Sequence, residues 1–100
     1  MKTKFAFIAE LWIYPGMVGN WHFISLPKKD ADAIKKAFGT HARGWGSLRV
    51  EARIRKSVWK TSIFPDKKSG TYLLPVKAEV RKREAIVAKD NVPVEIKIIQ

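Results

Sequence analysis

The segment over residues 47–55 constrains the fold more than any other. Leu48, Val50, Ala52 and Ile54 alternate with Arg49, Glu51, Arg53 and Arg55. A period of two places the four apolar side chains on one face of an extended strand and the four charged ones on the other. Such a strand is half-buried, and it needs a layer to pack against. Lys56 and Ser57 allow only a tight connection into a second branched and aromatic run over residues 58–64, so the two predict a β-hairpin. A chain that contains this hairpin folds around a sheet.

The flanking segments extend that reading. Residues 5–14 are aromatic and branched and predict a long strand with apolar residues on both faces, which suits a barrel. Pro15 and Gly16 mark a turn, and residues 21–26 predict a second strand. From residue 27 to 38 the period changes. Ala31, Ile34 and Phe38 recur at spacings of three and four, among Lys28, Lys29, Lys35 and Lys36, and Gly39 follows where a helix would stop. Residues 40–46 predict a loop in which Gly44 and Gly46 let the backbone turn around a buried Trp45. A polar turn from Pro65 to Gly70 leads to a short strand over residues 71–74. Pro75 then opens a helix of one to two turns, where a proline in first position costs nothing. Val92, Val94, Ile96 and Ile98 alternate with Pro93, Glu95 and Lys97 in a last strand. Six strands joined mostly by short turns, without regular strand–helix alternation, argue against a doubly wound parallel sheet. They predict a mainly β fold: a small closed antiparallel or mixed barrel with one amphipathic helix and one short helix, since closure removes exposed edges.

One hundred residues make one domain, and it can bury a core without staples. There is no cysteine, which excludes disulfides, thiolate metal sites and cysteine nucleophiles, and fits a reducing, cytoplasmic setting. No run reaches the ~20 apolar residues of a membrane span, so no membrane partner is expected. The net charge of +11 is uneven, with thirteen Lys/Arg against four Asp/Glu between Arg43 and Lys89. That excess attracts polyanions at low salt; it equally describes a well-solvated surface.

The chemistry-bearing residues gather in residues 59–81. Lys77 and Arg81 lie four apart on the expected helix and can converge on one anion, Arg as a two-pronged donor and Lys as a mobile point charge. Read conservatively, they are exposed, or pair with Glu84 or a strand carboxylate. Thr61 and Ser62 face opposite sides of their strand, so only one can join such a site; Ser62 is the one expected there. Trp59 and Trp21 supply flat apolar surface, although four indoles in a small domain also serve as packing. Together Lys77, Arg81, Ser62, Trp59 and Trp21 predict a pocket for a small anionic or planar ligand. The second reading is a nucleic-acid binder through Arg49, Arg53, Arg55, Lys56 and Lys60, basic residues near Trp59 in the hairpin. An enzyme ranks last. Ser62 lacks a nucleophile elbow, His22 and His41 stand at no ligand-like spacing, the glycines match no phosphate loop, and no cofactor is implied. Neither a monomer nor a dimer is favoured.

Four motifs carry a resemblance: Trp21-x-Phe23-Ile24-x-Leu26-Pro27; Gly44-Trp45-Gly46-x-Leu48-x-Val50; Trp59-x-Thr61-Ser62-Ile63-Phe64-Pro65; and Tyr72-x-Leu74-Pro75-Val76-Lys77 continuing to Val80-Arg81. Over residues 4–99 the chain resembles the family known as domain of unknown function 1905. The resemblance implies a small closed β-barrel of the double-split type with one or two helices, and no assigned activity. The family's Gly-Asp turn before the last strand is replaced here by Lys89-Asp90-Asn91, so Asp90 or Asn91 is expected to take the turn geometry. A C-terminal segment that some relatives carry, linked to bacteriocin protection, is not part of this sequence.

Overall fold

The computed structural model describes residues 2–16 and 20–99. In chain order the elements are β1 (Lys4–Ile13), β2 (His22–Ser25), α1 (Lys28–Phe38), β3 (Leu48–Ile54), β4 (Ser57–Asp66), β5 (Thr71–Pro75), α2 (Ala78–Glu84) and β6 (Asn91–Ile98), with short 3-10 turns at Gly39–His41 and Gly44–Gly46. The strands close into a barrel in the order β1-β2-β5-β4-β3-β6, and each neighbouring pair is antiparallel. The expected closed barrel of six strands with one amphipathic and one short helix is therefore present, and it is wholly antiparallel. No helix among the described residues is long and apolar enough to cross a membrane.

The alternation of β3 becomes the barrel wall. Leu48, Val50, Ala52 and Ile54 are fully buried, and so are their inward neighbours Ile63 on β4 and Ile96 on β6. The β3–β4 hairpin turns through two residues. Arg55 takes a positive φ of 54°, as tight hairpin turns whose twist matches the strands require. One barrel end is plugged by α1, whose buried residues are Ala31, Ile34 and Phe38. At about 25 cal/mol per Å² of apolar surface, a fully buried Ile contributes roughly 2–3 kcal/mol.

Three local expectations are corrected. Trp45 is not buried: it is 94% exposed, in the left-handed region at φ 66°, ψ 12°. The glycine beside it is explained by the backbone instead. Gly46 has φ +76°, and a Cβ there would lie 2.9 Å from Pro65 Cγ, so both conformation and space demand glycine. Pro75 is the last residue of β5 and not the first of a helix; α2 begins at Ala78, after an extended Lys77. The turn before β6 places its positive φ (81°) at Lys89, while Asp90 accepts the Val87 N–H through Oδ2.

Candidate functional site

The site lies where the barrel wall comes apart. Strand β5 pairs with β4 through Asp66↔Thr71, Pro65↔Tyr72 and Phe64↔Leu73, and there the ladder stops. Beyond Ile63 and Leu74, the next hydrogen-bonding partners in that register would be Ser62 and Pro75. Leu26 N–H donates to the Tyr72 carbonyl and Val76 N–H to the His22 carbonyl, so the even-numbered residues of this segment turn their main-chain groups towards β2. The odd ones turn towards β4, and at Pro75 that direction carries no N–H. The chain then swings away into α2. On the opposite bank, β4 continues to pair with β3 all the way back to Ser57. Its other edge, between Ser57 and Ile63, faces no strand.

This seam is a cleft of about 340 Å³. Its walls are runs of consecutive residues, 59–61 on β4 and 75–78 between β5 and α2, with residues 20–22 at the entrance to β2 and Arg81 from α2. Consecutive residues on one wall mean that main chain as well as side chain is presented, because alternate strand side chains point opposite ways.

Arg81 is half-buried, and its guanidinium is aimed by two contacts. Nε donates to the Val76 carbonyl at 3.1 Å, and Nη1 lies 3.5 Å from His22 Nε2. His22 Nδ1 is 2.6 Å from the Asn20 carbonyl; with its proton on Nδ1, the ring donates there and offers Nε2 to Arg81. No carboxylate among the described residues lies within salt-bridge distance of Arg81. The neighbouring cations are served differently: Lys77 Nζ is 4.0 Å from Glu79 Oε1, and Arg83 Nη2 is 3.1 Å from the same oxygen. A partly desolvated guanidinium without a counter-charge favours an anion beside it.

Four of the five residues expected at the pocket are brought together here: Lys77, Arg81, Trp21 and Trp59 all line the cleft. They are not equivalent. Trp59 is 8% exposed and presents little surface, whereas Trp21 is 49% exposed, with its ring stacked on Phe23 at 6.2 Å. Ser62 is corrected. It lies on the outer face of β4, where its hydroxyl accepts from Arg49 Nη1 at 3.2 Å, and Thr61 is the hydroxyl residue that lines the cleft. His22 and the free edge of β4 were missed by sequence reasoning. The signal for the edge was Pro75 read as a strand end; His22 gave none, because nothing local places the start of β2 beside α2.

The basic hairpin residues take up a different arrangement. Arg53 meets Glu95 at 4.0 Å, Arg55 Nη1 donates to the Glu84 carbonyl at 2.7 Å, and Glu51 stands opposite Lys60. Lys56 sits in the turn beside Arg55. Trp59 points inward, away from the face that carries Arg49 and Arg53, so the stacking ring and the cations are on opposite sides of the sheet. Among the described residues no group of three or more His, Asp or Glu side chains is placed to hold a metal ion.

No curated protein matches this chain. A family model does, that of Domain of unknown function (DUF1905), over residues 7–96. With a match across nearly its whole length, the chain belongs to that family.

Proposed function

We propose that this protein is a non-catalytic binding module that holds a small anionic, planar ligand in the seam cleft. Arg81 carries the proposal: a half-buried guanidinium, oriented by Val76 and His22 and without a carboxylate among the described residues, opening onto a cleft beside an exposed indole. In this reading Arg81 takes the negative charge in two-pronged fashion and Lys77, tethered only loosely by Glu79, adds a second positive charge. Trp21 stacks on the flat part of the ligand, and Thr61 supplies a hydroxyl. A cysteine-free chain suits a reducing compartment, and we infer a cytoplasmic location.

Calorimetry or ligand-observed NMR against aromatic carboxylates, phosphates and nucleotides tests this. At least one class should bind, and Lys77→Ala with Arg81→Ala should weaken it by about tenfold or more, as expected for a lost charge-assisted hydrogen bond of 1.5–3 kcal/mol. Unchanged affinity in the double variant refutes the site. The nucleic-acid alternative, through Arg49, Arg53, Arg55, Lys56 and Lys60, predicts DNA or RNA binding that persists at physiological salt. Purely salt-labile binding would reflect charge alone.

A further inference from the structure

The cleft offers more than a cation and a ring. Because Phe64 and Asp66 direct their main-chain groups towards β5, strand alternation directs those of Lys60 and Ser62 the same way, out of the free edge of β4. Ser62 faces Pro75, which has no N–H to give. Lys60 faces the point where the chain has already left for α2, and among the described residues no backbone hydrogen bond reaches its N–H or C=O. The edge is bounded on its other side. Ser57 Oγ donates to Glu84 Oε2 and Arg55 to the Glu84 carbonyl, so α2 closes over the start of β4. What stays open includes the main-chain donor and acceptor of Lys60, with Arg81 and Lys77 lining the same cleft.

A simple carboxylate or phosphate uses the cations and leaves the Lys60 pair to water. A ligand that satisfies both carries the N–H and C=O of one amino-acid residue, which point the same way, followed by a carboxylate on the next. We propose that the cleft binds the C-terminal end of a peptide: the N–H and C=O of the penultimate residue pair with the C=O and N–H of Lys60 in strand fashion, the terminal carboxylate meets Arg81 and Lys77, and an aromatic or other flat terminal side chain lies on Trp21. This rests on the reading of the cleft as an anion site and narrows its ligand. The combination of edge main-chain pairing for affinity with charge capture of a chain end is a known physical mode of peptide recognition. Charge complementarity points the same way, because the chain carries +11 overall, and Lys60, Lys77 and Arg81 line the cleft with no carboxylate among its lining residues. The short opening limits the match to the last two or so residues, so affinity should be modest and depend on the end group rather than on a long sequence.

Calorimetry with five probes tests it: acetyl-alanyl-phenylalanine with a free carboxylate, its C-terminal amide, its two forms N-methylated at one amide nitrogen each, and 3-phenylpropionate, which has the ring and the charge but no amide. The free acid should bind about tenfold or more tightly than the amide, and N-methylation at one of the two nitrogens should cost a similar factor. Lys60→Pro adds a test from the protein side. It removes the Lys60 N–H and no β3–β4 ladder bond, so it should weaken the free acid well beyond Lys60→Ala, which loses the same side-chain charge but keeps the N–H. Should the proline variant fail to fold, as judged by circular dichroism, the N-methyl series decides. If 3-phenylpropionate binds as tightly as the dipeptide, or N-methylation at neither nitrogen matters, the chain-end inference is overturned and the anion site stands. If the dipeptide and 3-phenylpropionate both fail while a nucleoside monophosphate binds and responds to Arg81→Ala, the inference also fails. If nothing in either panel binds, the anion site falls with it.

Discussion

The two ends of strand β5 are built on opposite plans. At its start, the Thr71 hydroxyl donates to the Leu26 carbonyl in a buried contact of 2.7 Å, and Leu26 N–H donates to the Tyr72 carbonyl at 3.0 Å. Lys28 spans the gap between α1 and the β4–β5 turn, donating to Asp32 and to the Gly70 carbonyl at 3.0 Å each. Helix α1 then seals that end with three buried side chains. At the other end Pro75 breaks the ladder, α2 buries Val80 alone, and Arg81 and the Lys60 main chain face a cleft. Polar groups at the first end are partnered within the protein; at the second, several are left for something else. A closed barrel has few free edges, and this one opens its wall at a single proline while the opposite end carries the packing. Most of the helical packing is thereby placed on α1, and the groups of the proposed site on and before α2.

The contrast predicts unequal costs. Ile34→Ala, which empties a fully buried site in α1, should lower unfolding free energy by about 2–5 kcal/mol. Arg81→Gln should change it by no more than about 1 kcal/mol in either direction, since a cation without a carboxylate partner contributes little net stability. Urea unfolding of the two variants against the parent protein measures both. If Arg81→Gln costs as much as Ile34→Ala, the seam is a structural joint and not an open site.

A smaller effect should appear with alkali, again at the closed end. Tyr72 is 5% exposed, and burial pushes its phenol above the usual value of 10.0. The folded state therefore holds that proton more tightly than the unfolded chain does. The resulting stabilisation is fully present below pH 10 and is lost as pH rises through the folded-state value. Tyr72→Phe should flatten this part of the stability–pH curve, whatever the lysines contribute in common to both proteins. Parallel curves for parent and variant above pH 10 would show that the ring is better solvated than its burial implies.

The distinction between the ends was only half visible in the sequence. Residues 47–55 show their two faces without any help from the rest of the chain, because a strand's alternation is local. Ala31, Ile34 and Phe38 show a helix face for the same reason, and those elements are present as expected. Lys77, Arg81 and Trp59 could be grouped because a short hairpin and a proline bring them close along the chain. Ser62 was expected at the site, and Thr61 lines the cleft in its place. Alternation separates them, but which one faces the cleft depends on the register with β3, where Thr61 lies opposite the buried Val50. His22 and the open edge depend on β2 and β5 becoming neighbours, a contact about fifty residues apart in the chain. Trp45 was misjudged for a related reason. Flanking glycines permit a sharp turn, but they do not say whether the ring turns in or out.

Trp45 is also where the closed end departs from its own plan. Its backbone sits at φ 66°, ψ 12°, a region that costs a residue with a Cβ about 1–2 kcal/mol, and its ring is 94% exposed, so packing returns almost nothing. Glycine adopts this geometry without the steric cost, at the expense of a more flexible unfolded chain, worth roughly 0.5–1 kcal/mol against it. The strain is the larger of the two, so Trp45→Gly should raise stability by a few tenths to about 1 kcal/mol. Thermal unfolding would show it as a modest rise in Tm. Trp45→Ala separates the contributions: it removes the indole but keeps the Cβ, and should bring little or no gain. If both variants lower stability, the indole makes contacts that its exposure does not reveal, and the closed end is as fully optimised around this loop as it is around Thr71.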